Sequence, residues 1–154
     1  MGAESTLRKL GWKLPPPPGP IGAYVPVVRS GSLLFVSGQL PTRDGELIHT
    51  GTVGKDVTEQ EAQECMRQAS LNALSIVRAE LGSLDQVRRV VRLVGHVASA
   101  PGWGGQTTVT NAASEVFQQV FGTERGSHAR LALGAAALPR SSPVELEVIV
   151  EAEE

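Results

Sequence analysis

Cysteine is almost absent from this chain. Cys65 stands alone among 154 residues, so no intrachain disulfide can form, and a reducing compartment fits. Long apolar runs are missing as well. None approaches the roughly 20 residues that cross a bilayer. The opening Met1-Gly2-Ala3-Glu4-Ser5-Thr6 carries an acid where a secretory leader has an apolar core. A cytoplasmic protein with no membrane partner is the expectation. Excess charge of one sign is lacking: 14 Lys and Arg face 16 Asp and Glu, a net charge of −2. That balance speaks against a dedicated nucleic-acid binder, which carries a clear basic excess.

Several chemical signatures are missing too. His49, His96 and His128 stand at no metal-ligand spacing, and no second cysteine or acid cluster joins them, so no metal is expected. Ser37-Gly38 lacks the G-x-S-x-G frame of a nucleophile elbow. The glycines around Trp103 lack the strand-then-helix context of a dinucleotide loop. No organic cofactor is expected.

What is present reads as one α+β domain over 21–154 behind an N-terminal arm, 1–20. Residues 6–12 suit a short helical turn. Pro15-Pro16-Pro17-Pro18-Gly19-Pro20 then fixes φ and removes amide donors, which makes a stiff extended spacer packed on the body. Apolar runs at 23–28 and 33–36, split by a turn at 29–32, read as a hairpin. Gly38 at the end of its second strand allows a bulge or a close backbone approach. Residues 46–49 suit a short edge strand. Thr58 followed by Glu61 forms a capping box, and Ala62, Met66, Ala69, Ala73, Val77 and Leu81 then recur at helical spacing up to Gly82.

The valine-rich 87–97 stretch reads as a strand, with Val91, Leu93 and Val97 on one face by strict alternation. A second helix carries Val109, Ala113, Val116, Phe117, Val120 and Phe121 on one side and ends at Gly122. Strands over 130–136 and 144–150 finish the chain. Two helices on one face of a mixed sheet is the economical packing for this order.

Two positions hold candidate chemistry. Arg130 shares its strand face with Ala132, Gly134 and Ala136, so little side-chain bulk stands beside a guanidinium able to take a carboxylate bidentately. The competing reading, favoured by spacing alone, is a surface arginine in a salt bridge. Glu145 is either a carboxylate that orients a water or a solvated position beside Glu147; spacing favours the second. Trp103, in the 99–106 loop, is equally a pocket wall or a core anchor.

The separated motifs Tyr24, Phe35-Val36-Ser37-Gly38-Gln39-Leu40-Pro41, Asn72, Asn111, His128-Ala129-Arg130, Leu138-Pro139 and Val144-Glu145-Leu146-Glu147 occur in the order of the Rid (YjgF) family. From Ile21 onward the chain resembles that family, as a less-characterised branch with a proline-rich arm and a longer 99–106 loop. The resemblance implies a chorismate-mutase-like fold and a homotrimer whose sheets form a central barrel. It implies hydrolysis of reactive enamines and imines, such as 2-aminoacrylate, to 2-oxo acids and ammonia in clefts between subunits. In that role Arg130 clamps the substrate carboxylate and Glu145 holds the attacking water. Tyr24, Ser37 and Gly38 line the cleft with Asn111 nearby, and Ala132 stands where many active members carry cysteine.

Imine hydrolysis needs chiefly an oriented carboxylate and a positioned water, which suits this inventory. Two other readings compete: a trimeric binding module for a small carboxylate that is never turned over, and a ribonuclease. The acidic balance, and the absence of interleaved basic and aromatic residues, make the ribonuclease the weakest.

Overall fold

The computed structural model describes all 154 residues. The chain runs α1 (Ala3–Leu10), β1 (Val27–Ser30), β2 (Leu33–Gln39), β3 (Thr42–Arg43), β4 (Glu46–Leu47), α2 (Glu59–Leu81), β5 (Val87–Ala98), α3 (Gln106–Gly126), β6 (Ala129–Ala135) and β7 (Val144–Ala152). Single 3-10 turns occupy Leu84–Gln86 and Pro139–Ser141. No helix is long and apolar enough to cross a membrane.

Five strands form one mixed sheet in the order β1-β2-β7-β5-β6. Only β5 and β6 are parallel, joined through α3 as a parallel pair requires. Thr58 caps α2 by accepting from the Glu61 amide at 3.1 Å, and Gly82 closes it in the left-handed region. Ala62, Ala69 and Ala73, all fully buried, let α2 lie close to the sheet. Val109, Ala113, Val116 and Phe117 bury the inner face of α3. One cluster of 31 residues makes the core.

Four expectations need correction. There are three helices, not two. Residues 3–10 form α1, and its Ala3 and Leu7 are buried in the common core, because Glu4 binds Arg78 through both carboxylate oxygens and also accepts from the Leu84 amide. The β3–β4 pair is a separate two-stranded ribbon, not an edge of the sheet. Strict alternation fails along β5: bulges near Arg88 and Val91 shift the register, so Val87, Val90, Leu93 and Val97 face the core while Val91 is half-buried. The hairpin turn is Gly31-Ser32 alone, since Arg29 and Ser30 pair with Leu34 and Leu33, whereas Gly122 does break α3 as expected (φ 80°, ψ 165°), with one further turn to Gly126.

The proline stretch is strapped to the body, since the Ser75 hydroxyl donates to the Pro15 carbonyl. The Asn72 side chain, fully buried on α2, holds the chain that follows β2. Its amide nitrogen donates to the carbonyls of Leu40 at 3.1 Å and Thr42 at 3.0 Å, and its oxygen accepts from Gln68 at 3.1 Å. Replacing Asn72 by Ala removes its bonds to both carbonyls and leaves the Gln68 amide without its acceptor, though Leu40 O still accepts from the Thr42 amide. Chemical denaturation should show a loss of about 2 kcal/mol, and an unchanged midpoint would contradict this role.

Candidate functional site

The bulge in β2 falls at Ser37 and Gly38, between the pairs Val36↔Val148 and Gln39↔Leu146. It brings the backbone of Gly38 against β7, where a Cβ would overlap the Glu145 carboxylate. The Ser37 hydroxyl donates to the Val25 carbonyl at 2.7 Å and its amide to the Pro26 carbonyl, which fixes the 21–26 segment alongside. The result is an open hollow of about 570 Å³ whose lining includes Tyr24, Ser37, Gly38, Leu40, Pro139 and Glu145. Pro18, Gly19, Pro20 and Ile21 form a further wall, so the arm is part of this site and more than a spacer. Burial holds the Glu145 carboxyl above the ordinary carboxylate range, with His96 opposing and Glu147 adding to the effect.

Arg130 stands elsewhere. Its side chain leaves β6 toward α3, where Nη1 donates to Asn111 Oδ1 at 2.6 Å and to Ser114 Oγ at 3.1 Å. Both acceptors are neutral, and none of the chain's ion pairs includes Arg130. The salt-bridge reading of this residue therefore fails. A second hollow of about 400 Å³ opens here, bordered by Asn111, Ser114, His128 and Arg130 among others. His128 Nε2 lies 2.9 Å from Ser114 Oγ, and Nδ1 lies 2.7 Å from the Gly126 carbonyl. Burial, with the charge of Arg130, lowers the His128 pKa against the raising effect of that carbonyl.

Within one chain the two hollows are separate. Glu145 stands opposite His96, and His96 opposite Leu133, three residues from Arg130. Strand spacing and rise per residue put Arg130 and Glu145 ~14 Å apart at their backbones. They also face opposite ways. Glu145 shares the face of Glu147 and Ile149 that the helices leave open, while Arg130 turns to α3.

Tyr24, Ser37, Gly38 and Glu145 are thus gathered in one place, and Asn111 and Arg130 in the other. Ala132 follows Arg130 on the same strand face but borders neither hollow. Trp103 borders neither one and is packed against the core beside Gly54. Sequence reasoning missed Ser114, which looks like any helix-surface serine, and the arm's role as a wall. Cys65 takes no part in either hollow: burial, reinforced by Glu64 and Glu61, pushes its thiol up to about 12.

The profile of the YjgF/chorismate mutase-like family matches residues 4–151. The chain is a member of the Rid (YjgF) family. Protein TCP17 of Trypanosoma cruzi is 44% identical over 147 residues, 96% of this chain and 92% of that protein. The crystal structure of Atu1372 from Agrobacterium tumefaciens, a protein of unknown function, superposes with a TM-score of 0.88 at 42% identity, covering 99% of this chain and 92% of that one. A 2-iminobutanoate/2-iminopropanoate deaminase of Dermatophagoides farinae is 29% identical over 133 residues, 86% of this chain and 88% of its own. The Rid profile extends into α1, beyond the stretch from Ile21 that the motifs cover.

Carboxyl-carbon NMR should place the Glu145 midpoint above 4.5, and Glu147→Gln should bring it down, because a repelling charge is removed. A midpoint at or below 4.5 would show a solvated carboxylate instead.

Proposed function

We propose that this Rid protein hydrolyses carboxylate-bearing enamines and imines of the 2-aminoacrylate type to 2-oxo acids and ammonia. The observation that carries the reading is the state of Arg130. Its Nη1 is pinned by two neutral oxygens while the rest of the guanidinium edge has no acidic partner and borders an open hollow. A guanidinium so placed is an anion receptor. The deaminase name of the Dermatophagoides relative supports the reaction class.

Arg130 and Glu145 serve one substrate if protomers assemble so that the β6 edge of one closes over the Glu145 hollow of the next. Two features favour the homotrimer. The ~14 Å separation excludes a shared small ligand within one chain. The open sheet face exposes Phe35, Leu131 and Val28, which a barrel of three sheets would cover. In the cleft, Arg130 fixes the carboxylate. Ionised Glu145 takes a proton from a water held against the imine carbon and passes it to the imine nitrogen, so the C–O bond forms as C=N becomes C–N. It then moves the carbinolamine hydroxyl proton to the amine; the C–N bond breaks as C=O forms, and ammonia leaves.

Purified protein should accelerate ammonia release from freshly generated 2-aminoacrylate. Arg130→Ala should chiefly raise KM and Glu145→Gln chiefly lower kcat, by about a hundredfold. The acidic limb of the pH profile should rise with Glu145 ionisation and disappear in Glu145→Gln. Release no faster than in buffer sinks the reaction; binding of a 2-oxo acid without turnover would leave a binding module.

The assembly has its own test. Assayed at substrate near the wild-type KM, where each variant alone is nearly silent, co-refolded Arg130→Ala and Glu145→Gln should regain roughly a quarter of wild-type activity, since that share of clefts draws both intact groups from different protomers. No restoration places the two groups in separate sites.

A further inference from the structure

The hydrogen bonds behind Arg130 have a direction. Gly126 O is a carbonyl and can only accept, so His128 Nδ1 carries the ring proton that bonds it at 2.7 Å. In the neutral ring Nε2 is then an acceptor, and the Ser114 hydroxyl, 2.9 Å away, donates to it. That commits the Ser114 proton and leaves the oxygen's lone pairs for Arg130 Nη1. Asn111 Oδ1 takes the other Nη1 proton. The Nε–Nη2 edge remains for a ligand.

We propose that Ser114 and His128 are positioning residues: a relay from Gly126 O through His128 and Ser114 that aims Arg130 at the carboxylate of the ligand. This rests on Arg130 being the anion anchor.

The chemistry of the relay favours this use. A neutral partner leaves the positive charge of Arg130 intact for the incoming anion, where an acidic partner would neutralise it. Rigid aim reduces the side-chain entropy lost on binding. The ring must be neutral for the relay to point this way, and burial together with Arg130 depresses its pKa. The other charged groups around the ring are Glu115 from α3, Arg89 from β5 and Glu151 from β7. Neither Glu115 nor Glu151 is within hydrogen-bond reach of His128, whose partners are Ser114 and Gly126. Ser127 and the final turn of α3 after the Gly122 kink carry the chain to His128, so the kink sets where the ring stands.

The test uses the full-length protein with two probes, pyruvate and its neutral amide, pyruvamide, by calorimetry. Ser114→Ala and His128→Phe should each weaken pyruvate binding about tenfold, as expected for lost support of a charge-assisted contact, and leave pyruvamide binding unchanged. Ser114→Thr, which keeps the hydroxyl, should restore wild-type affinity. In an Arg130→Ala background the Ser114→Ala change should have no further effect on pyruvate. If turnover is present, Ser114→Ala should raise KM with kcat held.

Equal losses for both probes would mean a structural role and overturn the relay. So would wild-type pyruvate affinity in both variants. If Ser114→Ala fails to fold, Ser114→Cys, which donates weakly and accepts poorly, decides on the same two-probe criterion. Wild-type protein that binds pyruvate while Arg130→Ala binds it equally well removes the anchor, and with it the function proposed above. Loss of affinity confined to Arg130→Ala removes only the relay.

Discussion

Arg130 reaches from β6 to α3 and is gripped there by Asn111 and Ser114, and the rest of the site depends on that grip. It exists because β5, α3 and β6 form a parallel crossover, which lays α3 across the strand that carries the arginine. The depth of the helix is set by Gly95 on β5. A Cβ there would overlap the Thr110 side chain, so the missing side chain lets α3 settle close to the sheet. Asn111 is the next residue along. An added methyl at Gly95 would lift the very turn that meets the guanidinium.

Glu145 is placed by different means. The β2 bulge at Ser37 and Gly38 brings bare backbone against its carboxylate, and the resulting burial raises its pKa. Ser37 ties down the segment that completes the hollow, and the proline arm adds a wall that α1 and Ser75 hold in place. One protomer therefore builds two hollows by independent devices, an arginine gripped by neutral oxygens on one face and a half-buried carboxylate on the other. Sheet geometry alone keeps them too far apart for a small substrate. The same open face that carries Glu145 exposes Phe35, Leu131 and Val28, which the ring of protomers proposed above would cover.

Much of this was legible in residues whose signal is local. Thr58, Glu61 and Gly82 mark both ends of α2 because caps are short-range hydrogen bonds. Gly38 announces a bulge because only a residue without a Cβ tolerates the approach. Signals that depend on tertiary context were not legible. The bulges in β5 reassign its core face from Val91 to Val90, and nothing in an unbroken valine run marks where a register slips. Leu7 of α1 reads as one of two leucines in a largely polar octapeptide until Glu4 and Arg78 fix the helix on the body. The small neighbours of Arg130 single it out, yet spacing alone favours a salt bridge, because what holds it comes from a helix sixteen and nineteen residues earlier, and no spacing rule links Ser114 to His128.

The loop after β5 shows how a residue distant from both hollows still bears on them. Trp103 packs on the core beside Gly54, whose left-handed backbone gives the ring room, and its amide donates to the Ala100 carbonyl. Gln106, the first residue of α3, donates to both the Trp103 carbonyl at 3.0 Å and the Ser99 hydroxyl at 3.1 Å. The start of α3 is therefore nailed to the end of β5 by a loop that is itself nailed to the core. Asn111 and Ser114 lie in the next two turns of that helix. A helix whose first turn is fixed in rotation and height carries that precision along its axis, about 1.5 Å per residue, to the side chains that grip Arg130. The long loop acts on Arg130 through the helix it starts, and an aromatic side chain that borders neither hollow is what keeps the arginine's partners in register.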